Sequence, residues 1–518
     1  MRWTVGTLGV LLAGLLVLPW LVRPASNDAP DGEGVLLVII TPHTEQIRFE
    51  YERAFNEWHQ ANYGQPVTID WRAPGGTSEI RRLLIDQYQA AIRNNEYQLV
   101  DGEVVIEPGR MGFDLLFGGG SYEHGEMRDG FTATIEGEEI DVPVSVPAGF
   151  SQQQLDDWFG ENKIGNQLLY DEEQYWIGTA LSGFGIIFNK DLYAEAGMET
   201  PTGFKDLTDP RLMGLVALAD PRQSGSITTT FESIQNAYGW DEGWRILREM
   251  AANTRYFTSA ATKPPLDVAA GEAMAGLAID FYGRTQSQAV TAPGAPPESS
   301  RVGYVDPVGA VYVDADPVSI LRGGPHPEIA RRFVEFCMTE QAQSLWQFPA
   351  NPDQTGPMPT GPVRYELRRA PVRRVMYEKY ADRFIDPVDP FTAAADVPSR
   401  GWRSAIPVMM GAFGVDSDDE LQEAWAALWR LRERAADDPS WAPVLAQAEA
   451  AFYAFPTQVV VGEDGQAVEL LFSEEHYRPV RNVWRDPEAA AEARIAYTRF
   501  FRDRYKEVVE LEARSQPD

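Results

Sequence analysis

The residues of this chain that could do chemistry are short polar ones placed where apolar runs stop. Thr41, His43 and Thr44 follow the run at 35–40, Thr77 and Ser78 close Gly75-Gly-Thr-Ser78, and Ser121 follows three glycines. Ser182 and Gly183 begin Ser182-Gly-Phe-Gly185, and Ser224-Gly-Ser-Ile-Thr228, with Ser226 at its centre, opens a helical stretch. Such turns bring backbone N–H groups and helix N-termini to one edge, where a phosphate or carboxylate can be held. Any one of these residues is ordinarily a helix cap. As a set, converging from both halves of the chain, they favour contact with an anionic ligand. Arg222 and Arg284 are candidate counter-charges, against a plain surface position. Trp176 and Phe184 are candidate walls for an organic solute, against core packing.

Catalytic patterns are missing from the sequence. The five histidines (His43, His59, His124, His326, His476) show no His-Glu-x-x-His spacing, and there is neither a Walker phosphate loop nor a Gly-x-Ser-x-Gly elbow. Cys337 is the single cysteine, which excludes an intramolecular disulfide and a Cys-rich metal cluster; its helical spacing in Arg331-Arg-Phe-Val-Glu-Phe-Cys-Met338 marks it as core. The expectation is therefore a binding protein without a cofactor, and not an enzyme. A net charge of −32 argues against a nucleic-acid partner and reads as a well-solvated acidic surface.

The elements that must position these residues repeat as strand, Gly- or Ser-rich turn, helix. Apolar runs at 35–40, 67–71, 113–117 and 215–219 read as strands, with helices at 45–62, 79–94 and 241–253, a pattern of doubly wound α/β lobes that bind ligands at strand carboxyl ends. A further strand is expected at 277–282. Residues 176–191 read as a crossing between two lobes: a glycine-interrupted turn at 182–185, a short strand at 186–188 and a helix from Asp191. The return crossing spans 303–321, and a charged hairpin is expected at 96–108.

The expected division is 1–22 as signal peptide or N-terminal anchor, 23–34 as linker, 35–179 as the first part of lobe 1 and 180–305 as lobe 2 with its crossing. The return crossing and the rest of lobe 1 take 306–350, and 351–518 forms a mainly helical C-terminal extension with a hairpin near 458–471. The apolar run from Val5 to Val22 after Arg2 directs the body outside the cytoplasm, to the periplasm, with membrane contact if that segment stays attached.

Several of these stretches together resemble the solute-binding proteins of ABC importers: residues 35–45, Gly75-Gly-Thr-Ser78, Ser182-Gly-Phe-Gly-Ile-Ile-Phe-Asn-Lys190, Val216-Ala-Leu-Ala-Asp-Pro221 with Ser224-Gly-Ser226, and 330–343. The resemblance points to the branch holding ferric-iron, polyamine and phosphorylated-solute binders. It implies a two-lobed, periplasmic-binding-protein-like (type II) α/β fold that closes by a hinge on a solute, with importer membrane subunits as partners. In the iron binders a histidine sits where His43 does, and paired tyrosines follow a strand of the second lobe. Here that strand runs into Asp280-Phe-Tyr282, so His43 and Tyr282 are the metal ligands implied if ferric iron is the cargo, with Asp280 as a carboxylate. The expectations are an anionic organic solute, phosphorylated or carboxylated; alternatively ferric iron; alternatively a membrane-tethered sensor that signals to a partner.

Overall fold

The computed structural model describes residues 34–514, apart from 293–294, 296–298, 308, 387, 395 and 463–464. The expected signal or anchor segment lies outside these residues. Among those described, no helix is long and apolar enough to cross a membrane.

Apolar β-branched runs form the strands because their side chains pack well on a pleated, buried surface. Val67–Arg72, Val35–Ile40 and Leu115–Phe117 pair in parallel to make the sheet of the first lobe. Thr254–Thr258, Val216–Ala219 and Ala275–Ile279 pair in parallel to make that of the second. The strand Ile177–Asn189, buried along its whole length, joins the two. Its first part pairs with the return strand Val313–Leu321, with Gly183 opposite Val313. From Phe184, opposite Ile279, it belongs to the second lobe. The chain thus changes lobes at Gly183 and Phe184.

Two expectations need correction here. Residues 182–185 are continuous strand and make no turn. Glycine is required for close approach: a Cβ on Gly185 would stand 2.3 Å from the carbonyl oxygen of Val305, on the neighbouring strand Val302–Val305. The strand expected at 277–282 stops at Ile279, where the helix Asp280–Ala289 begins. The Asp280 carboxylate accepts from the Phe281 N–H at 2.8 Å, satisfying a first-turn donor that a strand would have placed in the ladder.

Helices Glu45–Tyr63 and Pro327–Cys337 cover the first lobe, and Cys337 is fully buried there. Helices Gly225–Tyr238 and Trp240–Ala252 cover the second. Beyond residue 350 the chain does two different things. Residues 363–372 return to the first lobe: the Glu50 carboxylate accepts from the N–H groups of Val363, Arg364 and Tyr365, and Ala370–Pro371 pairs with Leu181 and Ala180 of the crossing strand. Helices Asp418–Asp437, Ala442–Phe452 and Pro487–Glu512 instead share one hydrophobic core with the second lobe, in which Trp240, Trp244 and Met250 meet Phe413, Trp425, Phe452 and Phe501. The hairpin Thr457–Val461 and Ala467–Leu471 lies between these helices in sequence.

Candidate functional site

All six parallel strands point their carboxyl ends at one cavity of about 290 Å³ between the lobes. From the first lobe come His43, Ala73, Gly76, Thr77, Gly120 and Glu123; from the second come Gln223, Ser224, Ser226, Ser259, Thr262 and Phe281. The crossing strands contribute Ser182, Phe184, Asp314 and Asp316. Helices Thr77–Arg93, Ser121–Asp129 and Gly225–Tyr238 begin at its wall, capped by Gly76, Gly120 and Ser224. The first N–H groups of each have no acceptor within their own helix and carry its positive dipole end. The lobes touch at this wall: a Cβ on Gly225 would stand 2.5 Å from Oε1 of Glu123 and 2.6 Å from Oγ1 of Thr77.

Of the residues singled out from sequence, His43, Thr77, Ser182, Ser224, Ser226 and Tyr282 line the cavity, as does Phe184. The others stand behind or beside it. Thr41 is buried, donating from Oγ1 to the Phe117 carbonyl at 2.6 Å. Thr44 precedes the helix Glu45–Tyr63 and borders an adjoining groove with Thr262 and Leu266. The Ser78 hydroxyl donates to Glu123, and the Ser121 N–H donates to Asp314 at 3.0 Å. Gly183 backs onto Asp280 and Asp306. Asp280 is bound by Arg284 at 3.3 Å, so that arginine neutralises its own helix. Arg222 is held by Asp220 and Asp416 outside the cavity, and Trp176 is core.

The cations that do line the cavity are Arg369 and Arg403. Ala370 pairs with Leu181, which sets Arg369 against Ser182; its guanidinium bonds Ser182 Oγ and Asp316 and reaches His43 Nε2 at 3.1 Å. It also stands 4.4 Å from the centroid of the Phe281 ring. Burial lowers its pKa to about 10, so it stays charged at neutral pH. Burial, and then Arg369, hold His43 well below the usual histidine range, in the neutral form. Burial pushes the carboxyl of Asp314 up to about 6.

Five buried polar atoms of cavity residues have no hydrogen-bond partner among the described residues: His43 Nδ1, Arg369 Nε, Asp314 Oδ1, Asp316 Oδ1 and Glu123 Oε2, the last ion-paired with Arg81. Buried polar groups are ordinarily bonded, so a cluster of unsatisfied donors and acceptors in one cavity suits a polar ligand. A metal fits less well. Among the described residues no group of three or more His, Cys, Asp and Glu is placed to hold an ion. The Arg369 N–H also occupies His43 Nε2, which leaves Nδ1 as the open nitrogen of that ring.

Residues 148–360 match the family described as bacterial extracellular solute-binding protein. An uncharacterized protein of Haemophilus influenzae is 32% identical over 171 residues, 33% of this chain and 46% of that protein. The phosphoglycerate transport regulatory protein PgtC of Salmonella typhimurium is 24% identical over 194 residues, 38% of this chain and 45% of that one. The chain thus spans less than half the length of these curated relatives. The periplasmic binding protein AfuA of Actinobacillus pleuropneumoniae, solved with fructose-6-phosphate, superposes with a TM-score of 0.43 at 18% identity, covering 60% of this chain and 80% of AfuA. Residues 148–360 are thus similar to an extracellular solute-binding family, and the chain around them forms two α/β lobes that face one cavity. Arg369 and Arg403 both lie beyond the matched segment.

Sequence reasoning missed Arg369, Arg403, Asp314 and Asp316. The Asp314-Ala-Asp316 alternation inside an apolar strand was a usable signal, since two carboxylates facing one way in a buried strand must be paired or functional. Nothing local marked the two arginines.

Proposed function

We propose that this chain is the extracytoplasmic solute-binding component of an ABC importer, and that it closes on a hydroxylated organic anion bearing phosphate or carboxylate. The observation that carries this is the convergence of three helix N-termini, drawn from both lobes, on one cavity that also holds the buried cation Arg369. Helix N-termini and a guanidinium suit the anionic group. The unsatisfied Asp314 and Asp316 oxygens suit hydroxyl donors elsewhere on the solute. A ligand stabilises closure only through its differential contacts with the closed form, and a solute touching both lobes supplies them. The closed form then presents a surface to the importer's membrane subunits. The scarcity of anionic ligands weighs against ferric iron: among the described residues no group of three or more His, Cys, Asp and Glu is placed to hold an ion, and Arg369 already occupies one nitrogen of His43.

A thermal-melt screen of the ligand-stripped protein tests this, with 3-phosphoglycerate, sugar phosphates, citrate, ferric citrate and spermidine as probes. A ligand at a hundred times its Kd adds about 2.7 kcal/mol, which reads as a shift of several degrees. The expected result is a shift with a phosphorylated or carboxylated probe that persists without iron. A shift with ferric ion alone, or with spermidine alone, overturns the anionic assignment.

A further inference from the structure

The C-terminal extension reaches into the cleft. Its residue Arg403 is about nine-tenths buried and lines the same cavity as Gly225, Ser226 and Thr229. The second lobe fixes the plane of its guanidinium: Nη1 donates to Thr229 Oγ1 at 2.8 Å and to Glu232 Oε2 at 3.1 Å, and Nη2 donates to the Gly225 carbonyl at 3.1 Å. These bonds use three of the five N–H donors of an arginine. The loop that carries Arg403 is tied to the same lobe. Ser399 Oγ bonds Glu232, the Arg400 N–H bonds Asn236, and Trp402 packs on Trp240 with ring centroids 5.1 Å apart.

One contact goes the other way. The guanidinium carbon of Arg403 stands 4.2 Å from the centroid of the Tyr122 ring, on the first-lobe helix Ser121–Asp129. Arg403 is bonded to the second lobe and Tyr122 stands on the first, so parting the lobes would break this contact. It forms beside Gly225, whose backbone closely approaches Glu123 and Thr77 of the first lobe.

We propose that Arg403 is a residue of the solute site supplied by the C-terminal extension: its guanidinium faces the anionic group of the solute at the Gly225–Tyr238 helix and latches the closed form through Tyr122. This rests on the lobe closure proposed above. It gives the extension a role in binding, since the charge that completes the second-lobe side of the cavity arrives only after the extension has docked on Trp240 and its neighbours.

The test uses the full chain with spin labels on Glu57→Cys and Glu272→Cys, exposed positions on the first and second lobes. Arg403→Met combined with Glu232→Gln removes the cation without leaving a lone buried carboxylate, and circular dichroism checks that it folds. With 3-phosphoglycerate and inorganic phosphate as probes, the double variant is expected to bind at least tenfold more weakly than wild type. Tyr122→Leu, which removes only the latch, is expected to bind about fivefold more weakly, in line with a partly desolvated cation–π contact. The same Tyr122 change is expected to have no further effect once Arg403 is replaced. Equal probe affinity in wild type and the double variant overturns the proposal. If wild type binds neither probe, the solute assignment for these anions fails separately, and the label-to-label distance of the ligand-free proteins decides the latch. A longer distance in the double variant upholds it, and an unchanged distribution overturns it.

Discussion

Arg369 donates from Nη1 to His43 Nε2 across 3.1 Å, joining residues 326 positions apart in the chain. The contact binds the end of the first strand to the segment that pairs beside Ser182, so the site's central cation is held by the first lobe and the crossing strand together. Replacing Arg369 by Met strands the buried Asp316 carboxylate, at a cost of about 3 to 5 kcal/mol. The expected outcome is a sharply lowered melting temperature with loss of anion binding. Arg369→Lys is expected to recover part of the stability and little of the affinity, because an ammonium cannot reproduce the fork that reaches His43, Ser182 and Asp316 together. Calorimetry and titration of both variants check this.

Gly225 is where the lobes meet. A methyl group there would press on Glu123 Oε1 and Thr77 Oγ1, both within 3 Å of the Cβ position. Gly225→Ala is expected to leave each lobe folded while keeping them slightly apart. The readouts are a larger radius of gyration in small-angle scattering with ligand present and about tenfold weaker binding. Full affinity would show that Glu123 yields without moving its lobe.

Asp314 is raised to about 6 by burial, so it gains a proton as pH falls through that value and removes a negative charge from the cavity wall. Affinity for a sulfonate anion, whose own charge is constant, is expected to rise as pH is lowered from 7.5 to 5.5. Asp314→Asn is expected to fix the high-affinity level at both values and to flatten the dependence, as isothermal titration would measure.

His124 reports on acid stability. Its ring is buried, with Nε2–H donating to the Gly118 carbonyl at 3.2 Å and Nδ1 accepting from Ser319 at 2.7 Å, and burial pushes its pKa down to about 4. The unfolded chain titrates this group near 6.5, so between 6.5 and 4 unfolding takes up a proton and stability is lost as pH falls, by roughly 1.4 kcal/mol per pH unit. Asp280, raised to about 6 by burial, works in the opposite direction: the native state binds its proton first, which relieves the buried charge as pH falls from 6 towards 4. His124→Gln is therefore expected to flatten the acid limb of a stability profile, and Asp280→Asn to steepen it. Denaturant titrations across that range check both slopes.

The extension cannot be removed without cost to the second lobe. Arg248, fully buried on the helix Trp240–Ala252, donates to the carbonyls of Phe452 and Ala454 and lies against the rings of Phe413, Phe455 and Phe501. Arg248→Met leaves those two carbonyls without their donor and is expected to cost a few kcal/mol. A chain ending before Trp402 would expose Trp240, Trp244 and Met250 and is expected to aggregate, as a solubility assay would show.

Much of the fold was written locally. The strand at 35–40, the helix start at Glu45 and the charged hairpin, expected at 96–108 and found as Gln98–Val100 with Glu103–Val105, lie where apolar period and turns put them. Where local reasoning failed, tertiary contacts had overridden it. Ser182-Gly-Phe-Gly185 has the composition of a turn, yet strands on both sides hold it extended. Asp280 closes a strand by capping the amide after it, and nothing in the apolar run before it announces the change.

The sequence by itself determined the fold class: two α/β lobes with hydroxyl- and glycine-bearing segments at the strand ends. Those features depend on periodicity and on residue type over a few positions, and both can be read along the chain. Only the tertiary structure decided the charges of the site. His43 is neutral and held by Arg369, the candidate counter-charges Arg222 and Arg284 are paired with neighbouring aspartates, and Arg403 arrives from the far extension. Electrostatic partnership depends on distance in space and on burial. Residues 326 positions apart carry no local sign that they will meet.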